Sequence, residues 1–491
     1  MRTPPALLLL SAAALSACQD KADDTGDSGV DACFPTSIDV SAASTTYVGD
    51  NSQAHVGDLV VGGEDMNADG VPDVVLAATT DPTTDEFAGK IVVASGAASG
   101  SVDLNSAQAL IVGEAEYDYF GSALSVRDFD GDGYAEVMAG SKYSDAGAPD
   151  AGSAYLFYGP VSGSMIASSA DLVLRSEVEQ SYFGASIAGG GVVVEGGSAD
   201  FVVGMPGYDL VVFYRGPLTA GEYTEKEGIT DFLDGEHYKY YYAESFAQHP
   251  GDHVGLADLD ADGLDDVIIG ARDYGSAGIE FGRIYVSYDP YSGFPDEAID
   301  LEDVDGSVSG TSEEDRLSTD LETPGDLNAD GYGDLLLGVE YGVTATGSSG
   351  GSQEGKIAVV LGPLKSRRTI DSVDAVITGT TAGEKLGQQV DAGEDVNADG
   401  YLDYLLGASG AVEEGAGAGR AYLVYGPLSG TIPLDSPDLI IKGQGNTYVG
   451  TGVSMAGDVN KDGFGDLLVT APGDPGGAGA GQAFLFTGCL R

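Results

Sequence analysis

Apolar and polar residues alternate along this chain in short blocks rather than in long stripes. Brief runs of Val, Ile, Leu and Tyr are bounded by Gly, Pro, Asn or Asp, as in Asp266-Val-Ile-Ile-Gly, Asp334-Leu-Leu-Leu-Gly and Tyr155-Leu-Phe-Tyr-Gly-Pro160. Such runs read as β-strands joined by tight turns, and helical periodicity is not evident in the repeats. The landmarks recur in one order. An aromatic or aliphatic residue plus Gly comes first (Val56-Gly57, Phe120-Gly121, Leu386-Gly387, Val449-Gly450), then a strand, an Asp-rich turn and a second strand. A Gly-rich connection leads to a third strand ending in Gly-Pro, and another apolar run follows (Asp171-Leu-Val-Leu, Asp438-Leu-Ile-Ile).

The Asp-rich turn sets the register. The pattern D-x-[DN]-x-D-G-x-x-[DE] begins at Asp65, Asp128, Asp258, Asp326, Asp395 and Asp458. Asp128 and Asp258 are 130 positions apart, room for one more unit. There Phe183-Gly184 and Asp200-Phe-Val-Val-Gly are in place, while residues 189–199 have lost the ligands. Seven units of four short strands predict an all-β chain folded as a seven-bladed β-propeller over residues 33–491. Gly488-Cys489 takes the Gly-Pro position of the last unit, so residues 34–49 are expected to complete the last blade with its fourth strand. The same register brings Cys33 beside Cys489, and a disulfide there would stabilise the closed ring by ~2–4 kcal/mol.

These residues resemble the FG-GAP repeats of the integrin alpha N-terminal propeller, found also in many bacterial surface proteins. The "GAP" element is loosely kept in Thr470-Ala471-Pro472 and Gly204-Met205-Pro206. The resemblance implies that the Asp-rich turns share one face of the disc. The connections between blades, and those between second and third strands, then fall on the other, where integrins recognise partners.

Composition narrows the chemistry. The chain has 79 acidic against 21 basic residues and a formal net charge of −58, which excludes nucleic acid and anionic lipid surfaces as partners. Met1-Arg2 and the apolar stretch to Ala14 read as an export signal over residues 1–17. Leu15-Ser16-Ala17-Cys18 resembles the lipobox of bacterial lipoproteins, in which Cys18 would carry the lipid. Residues 18–32 are an acidic tether poor in apolar groups. The expected location is the bacterial outer membrane or cell surface, held by the lipid alone, with the chain monomeric.

Calcium takes six to eight oxygens, and alternate positions of a tight Asp-rich turn supply them. Six structural Ca²⁺ sites are expected, each with side chains at positions 1, 3, 5 and 9 and the carbonyl of position 7. They are Asp65, Asn67, Asp69, Val71 and Asp73; Asp128, Asp130, Asp132, Tyr134 and Glu136; and Asp258, Asp260, Asp262, Leu264 and Asp266. The others are Asp326, Asn328, Asp330, Tyr332 and Asp334; Asp395, Asn397, Asp399, Tyr401 and Asp403; and Asp458, Asn460, Asp462, Phe464 and Asp466. Asx-rich turns without metal are the simpler alternative.

The connection before the fourth blade, Gly235 to Gly251, is twice the usual length and carries His237, Tyr238, Tyr240, Tyr241, Tyr242 and His249. It reads either as a recognition loop for protein or glycan or as an insertion packed over a blade edge. No catalytic residues stand out, and a binding or adhesion module is expected. A polysaccharide-acting lyase or hydrolase on the same scaffold, or a purely structural surface lipoprotein, are the alternatives.

Overall fold

A computed structural model describes residues 34–49, 55–194, 199–216, 218, 220–225, 238–243, 248–276, 279–288, 290, 298–312, 315–340, 354–473 and 479–488. Cys18, Cys33, His237 and Cys489 lie outside the described residues, as do the export segment and the tether. Among the described residues the strands form seven five-stranded sheets and one two-stranded ribbon. The seven sheets are the blades of a propeller.

Blade one runs outward through Leu59–Val61, Val74–Ala78, Lys90–Ala94 and Ala109–Val112, all antiparallel. The other innermost strands are Ala123–Arg127, Ile187–Gly191, His253–Ala257, Asp320–Gly325, Val390–Ala392 and Val453–Gly457. Each contacts the next, and the seventh contacts the first. Second strands are the most apolar because both of their faces are covered. In Val74–Ala78, Val75 packs with residues of blade two, while Val74, Leu76 and Ala78 pack with residues of blade seven. The core is therefore a ring of clusters, one between each pair of neighbouring blades.

At six of the seven junctions the residue before the register Gly, or before Ser318 in blade five, closes the gap between blades. Val56, Phe120, Phe183, Leu317, Leu386 and Val449 are fully buried. Each bridges in parallel to the Gly just ahead of the preceding blade's third strand, as Phe120 does to Gly89. A Cβ on Gly89 would sit 2.2 Å from the Phe120 carbonyl oxygen, so only glycine permits this approach.

The expected closure is present. Thr45–Val48 pairs antiparallel with Gln482–Phe486 and completes blade seven. Two features differ from the sequence reading. Every blade carries a fifth, parallel strand lent by the next blade, such as Gly163–Ile166 beside Ala109–Val112, or Gly100–Asp103 beside Thr45–Val48. These outer strands are short, and Gly100–Asp103 and Gly163–Ile166 are mostly exposed, so they lack the apolar run that marks a buried strand. They also cap the sheet edges that would otherwise invite association. The second difference is the long connection before blade four. Tyr238–Tyr242 is not a loop but the fourth strand of blade three, paired antiparallel with Leu210–Tyr214. Tyr241 is wholly buried and Tyr240 and Tyr242 are half-buried, because tyrosine suits a pleated, partly covered surface.

Candidate metal centres

The six Asp-rich turns join first and second strands at one end of the blades, and they share one build. The carboxylate at position 1 accepts the N–H of the Gly at position 6, at 2.7 Å from Gly70 to Asp65, 2.7 Å from Gly331 to Asp326 and 2.8 Å from Gly400 to Asp395. The side-chain oxygen at position 3 accepts the N–H of position 5, as Asn328 does from Asp330 at 2.9 Å and Asn460 from Asp462 at 2.8 Å. The carboxylate at position 5 in turn accepts the N–H of position 7, as Asp132 does from Tyr134 at 2.9 Å. This winding needs left-handed backbone at positions 4 and 6. Position 6 is always Gly, with φ from +77° at Gly70 to +96° at Gly331. Position 4 is left-handed at Ala68, Ala261, Ala329, Ala398 and Lys461 too, a strain that the sequence pattern does not announce.

Position 9 opens the second strand or, at Asp73 and Asp403, immediately precedes it, and is buried. Its carboxylate accepts the N–H of position 2 with one oxygen, as Asp334 does from Leu327 at 2.8 Å and Asp403 from Val396 at 2.9 Å. With the other oxygen it takes the N–H of the Gly that ends the third strand: Gly362 to Asp334 at 2.8 Å, Gly426 to Asp403 at 3.0 Å, Gly159 to Glu136 at 3.0 Å. Each oxygen retains a further lone pair, enough to bind a cation as well. In the worn third blade Asp200 keeps both arms of this clasp, with Val193 at 2.9 Å and Gly216 at 2.8 Å, although the rest of the pattern is gone.

The donor set suits a hard divalent cation. Carboxylate oxygens of Asp128, Asp130 and Glu136 lie within 4.8 Å of one another, and so do those of Asp258, Asp260 and Asp262. That spread matches ligands around one ion at about 2.3–2.6 Å. Asp73 Oδ1, Asp260 Oδ1 and Asp462 Oδ2 are buried with no hydrogen-bond partner among the described residues, which leaves these oxygens free to take a cation. Burial, then the neighbouring carboxylates, push Asp266 up to about 8 and Asp403 and Asp466 to about 7. Lys365 Nζ stands 2.8 Å from Asp260 Oδ2 on the rim of the fourth-blade turn.

At the opposite end of the blades, the residue just before each aromatic- or aliphatic-Gly pair also has left-handed backbone. These residues are His55, Tyr119, Tyr182, His249, Arg316, Lys385 and Tyr448, one per blade. The sequence reading missed this rim because the side chain varies, although the fixed offset from the Gly would have located it. His249 alone of the proposed recognition residues lies here. Its Nδ1 is 2.9 Å from Asp273 Oδ2, and that hydrogen bond raises its pKa. Beside the rim runs a strip of rings. Phe87 stacks on Tyr119 with centroids 5.6 Å apart, Tyr119 meets Tyr143 edge-on at 5.4 Å, and Tyr143 meets Tyr182 at 5.5 Å.

A cavity of about 540 Å³ fills the axis, lined by the innermost strands of all seven blades. At several junctions a side chain from one innermost strand accepts an N–H of the next. Asp320 accepts from Val390 at 2.7 Å, Asp391 from Met455 at 2.7 Å and Ser454 from Gly62 at 3.0 Å. Burial, then repulsion from neighbouring carboxylates, raises the pKa values of Asp320, Glu322 and Asp391. His253 also faces the axis and is lowered to about 4 by burial.

The FG-GAP repeat pattern matches residues 120–157 and 437–486. The chain carries FG-GAP repeats. The first matched FG-GAP stretch opens at Phe120-Gly121, passes through the turn from Asp128 to Glu136 and ends with the third strand of blade two, Ser153–Phe157. Integrin alpha-5 of Xenopus laevis is 29 % identical over 246 residues, covering 48 % of this chain and 20 % of that protein. Integrin alpha-3 of Cricetulus griseus is 33 % identical over 111 residues, 23 % of this chain and 10 % of that one. The chain thus spans a fifth or less of the length of these relatives. A solved structure described as the Dos1 propeller aligns with a TM-score of 0.44 and 11 % identity, over 88 % of this chain and 82 % of that one.

Proposed function

We propose that this FG-GAP propeller is a calcium-loaded, non-catalytic binding or adhesion module displayed outside the cell. The observation that supports the reading is the sixfold Asp-rich turn: in two of the six, three carboxylates bring oxygens within 4.8 Å of one another, and in three a buried carboxylate oxygen is left without a donor. Asp65, Asn67, Asp69 and Asp73, and their counterparts in the other five turns, would hold the ion together with the carbonyl at position 7. Bound calcium would supply the missing positive charge and stiffen the turns, adding to folding stability. The partner, a protein or a glycan, would meet the opposite end, where rings and basic side chains form the rim. Likeness to integrin alpha chains supports both parts. Export and a lipid on Cys18 belong to the same reading and rest on the sequence of residues 1–18.

The test is direct. Elemental analysis of the purified chain should find about six calcium ions per molecule, and stringent chelation should lower the melting temperature by ten degrees or more. A melting temperature unchanged by chelation, with no bound ion, would overturn the calcium part. Screens on protein and glycan arrays, with and without calcium, test the adhesion part.

A further inference from the structure

Between blades one and two, at the end opposite the acidic turns, lies a cleft of about 550 Å³. Pockets of this size hold small ligands. Its wall is aromatic, with Tyr117, Tyr119 and Tyr143 in one strip, and Tyr117 and Tyr143 expose 46 % and 36 % of their surface to it and to solvent. Ser122 and Asp150 add a hydroxyl and a carboxylate.

Lys142 sets this cleft apart. Basic residues are scarce in this chain, and most described ones are paired: Lys90 with Asp81 at 2.8 Å, Arg175 with Glu114 at 3.0 Å, Arg420 with Glu414 at 2.6 Å. The Lys142 ammonium makes no ion pair or hydrogen bond among the described residues and lies 5.3 Å from the centre of the Tyr143 ring, with the more distant Asp252 favouring its charge and Arg272 opposing it. Burial disfavours its charge, so an anion brought beside it would gain more than at an open surface. At physiological salt the distant acidic turns are screened beyond about 8 Å, so an arriving carboxylate meets the charges of the cleft itself, Lys142 and Asp150.

We propose that this cleft binds a sugar bearing a carboxylate. The carboxylate would pair with Lys142, the apolar face of the sugar ring would lie on Tyr143 and Tyr119, and Asp150 and Ser122 would take hydroxyl groups. The proposal rests on the reading of the molecule as a binding module and names its ligand class.

Calorimetry on the calcium-loaded chain tests it with trigalacturonate, its methyl ester and sialyllactose, set against neutral lactose. The expected result is binding of at least one acid, tenfold or more tighter than its uncharged counterpart. Lys142→Met should remove that preference, and Tyr143→Ala should weaken acid and ester alike, with melting temperature and calcium content unchanged in both variants. Equal binding of acid and ester, or a preference that survives Lys142→Met, overturns the proposal. So does binding of neither acid; if an array then finds another partner the adhesion reading stands, and if it finds none that reading fails too.

Discussion

Asp200 sits in a turn that lacks the other Asp residues of the pattern, yet it is buried and holds three backbone donors. It shows that the acid at position 9 serves as a clasp in its own right. Asp200→Asn should therefore destabilise the chain by about 1–3 kcal/mol whether or not calcium is present. Asp262→Asn, at position 5 of a complete turn, should remove about one calcium ion and cost stability only in calcium. Titration of the position-9 acids gives a second check. Their folded pKa values, up to about 8 at Asp266, exceed the unfolded value of about 3.9, so the folded chain binds protons more tightly. That contribution is fully present below the unfolded value and is lost as pH rises toward about 8. Chelated protein should melt at steadily lower temperature from pH 5 to 8, and calcium, by replacing the protons, should flatten the profile. Ser318 offers a third prediction. It occupies the register position where the other blades carry Gly, at φ +82°, with its buried hydroxyl unpartnered among the described residues. Ser318→Gly should raise stability by about 1 kcal/mol, measured by urea unfolding.

Single strands show what could be read in advance. Val74–Ala78 and Asp334–Val339 were legible because burial on both faces demands an unbroken apolar run. Tyr238–Tyr242 was not, because Tyr and Lys side chains keep polar tips that read as exposed, even though Lys239 and Tyr241 are buried. The borrowed parallel strands were invisible for a different reason: each is short and turns little more than one side chain inward, such as Ile299 or Met165, so no apolar run marks them. The Asp-rich turns could be placed in the register because their residue spacing repeats from blade to blade in the sequence itself. The rim escaped because its common property is a backbone angle shared by Tyr, His, Arg and Lys. At this scale Gly89→Ala is the sharpest probe. It has left-handed backbone and no room for a Cβ, so the variant should lose at least about 2 kcal/mol and loosen the junction of blades one and two, seen as faster hydrogen exchange there.

For the whole ring, the axis matters as much as the blades. Asp320, Glu322 and Asp391 crowd one side of the channel, and all three are raised above the ordinary carboxylate range by burial, helped by Asp391 at Asp320 and Glu322 and by Glu394 at Asp391. By the same sign rule they favour the folded state at low pH and oppose it as they ionise. In saturating calcium, replacing Glu322 with Gln should make stability less dependent on pH between about 5 and 8, while the hydrogen bonds from Val390 to Asp320 and from Met455 to Asp391 remain. An unchanged slope would show that these carboxyls titrate normally.

The pairing of Thr45–Val48 with Gln482–Phe486 also governs the order in which the molecule can be finished. Thr45–Val48 waits while more than 430 further residues are made before its partner Gln482–Phe486 appears. Until that partner arrives the ring has a gap, and both of its walls are sheet surfaces able to recruit a neighbour's strand. A chain halted or clipped before Gln482 would therefore be lost to aggregation rather than survive as a smaller, six-bladed disc.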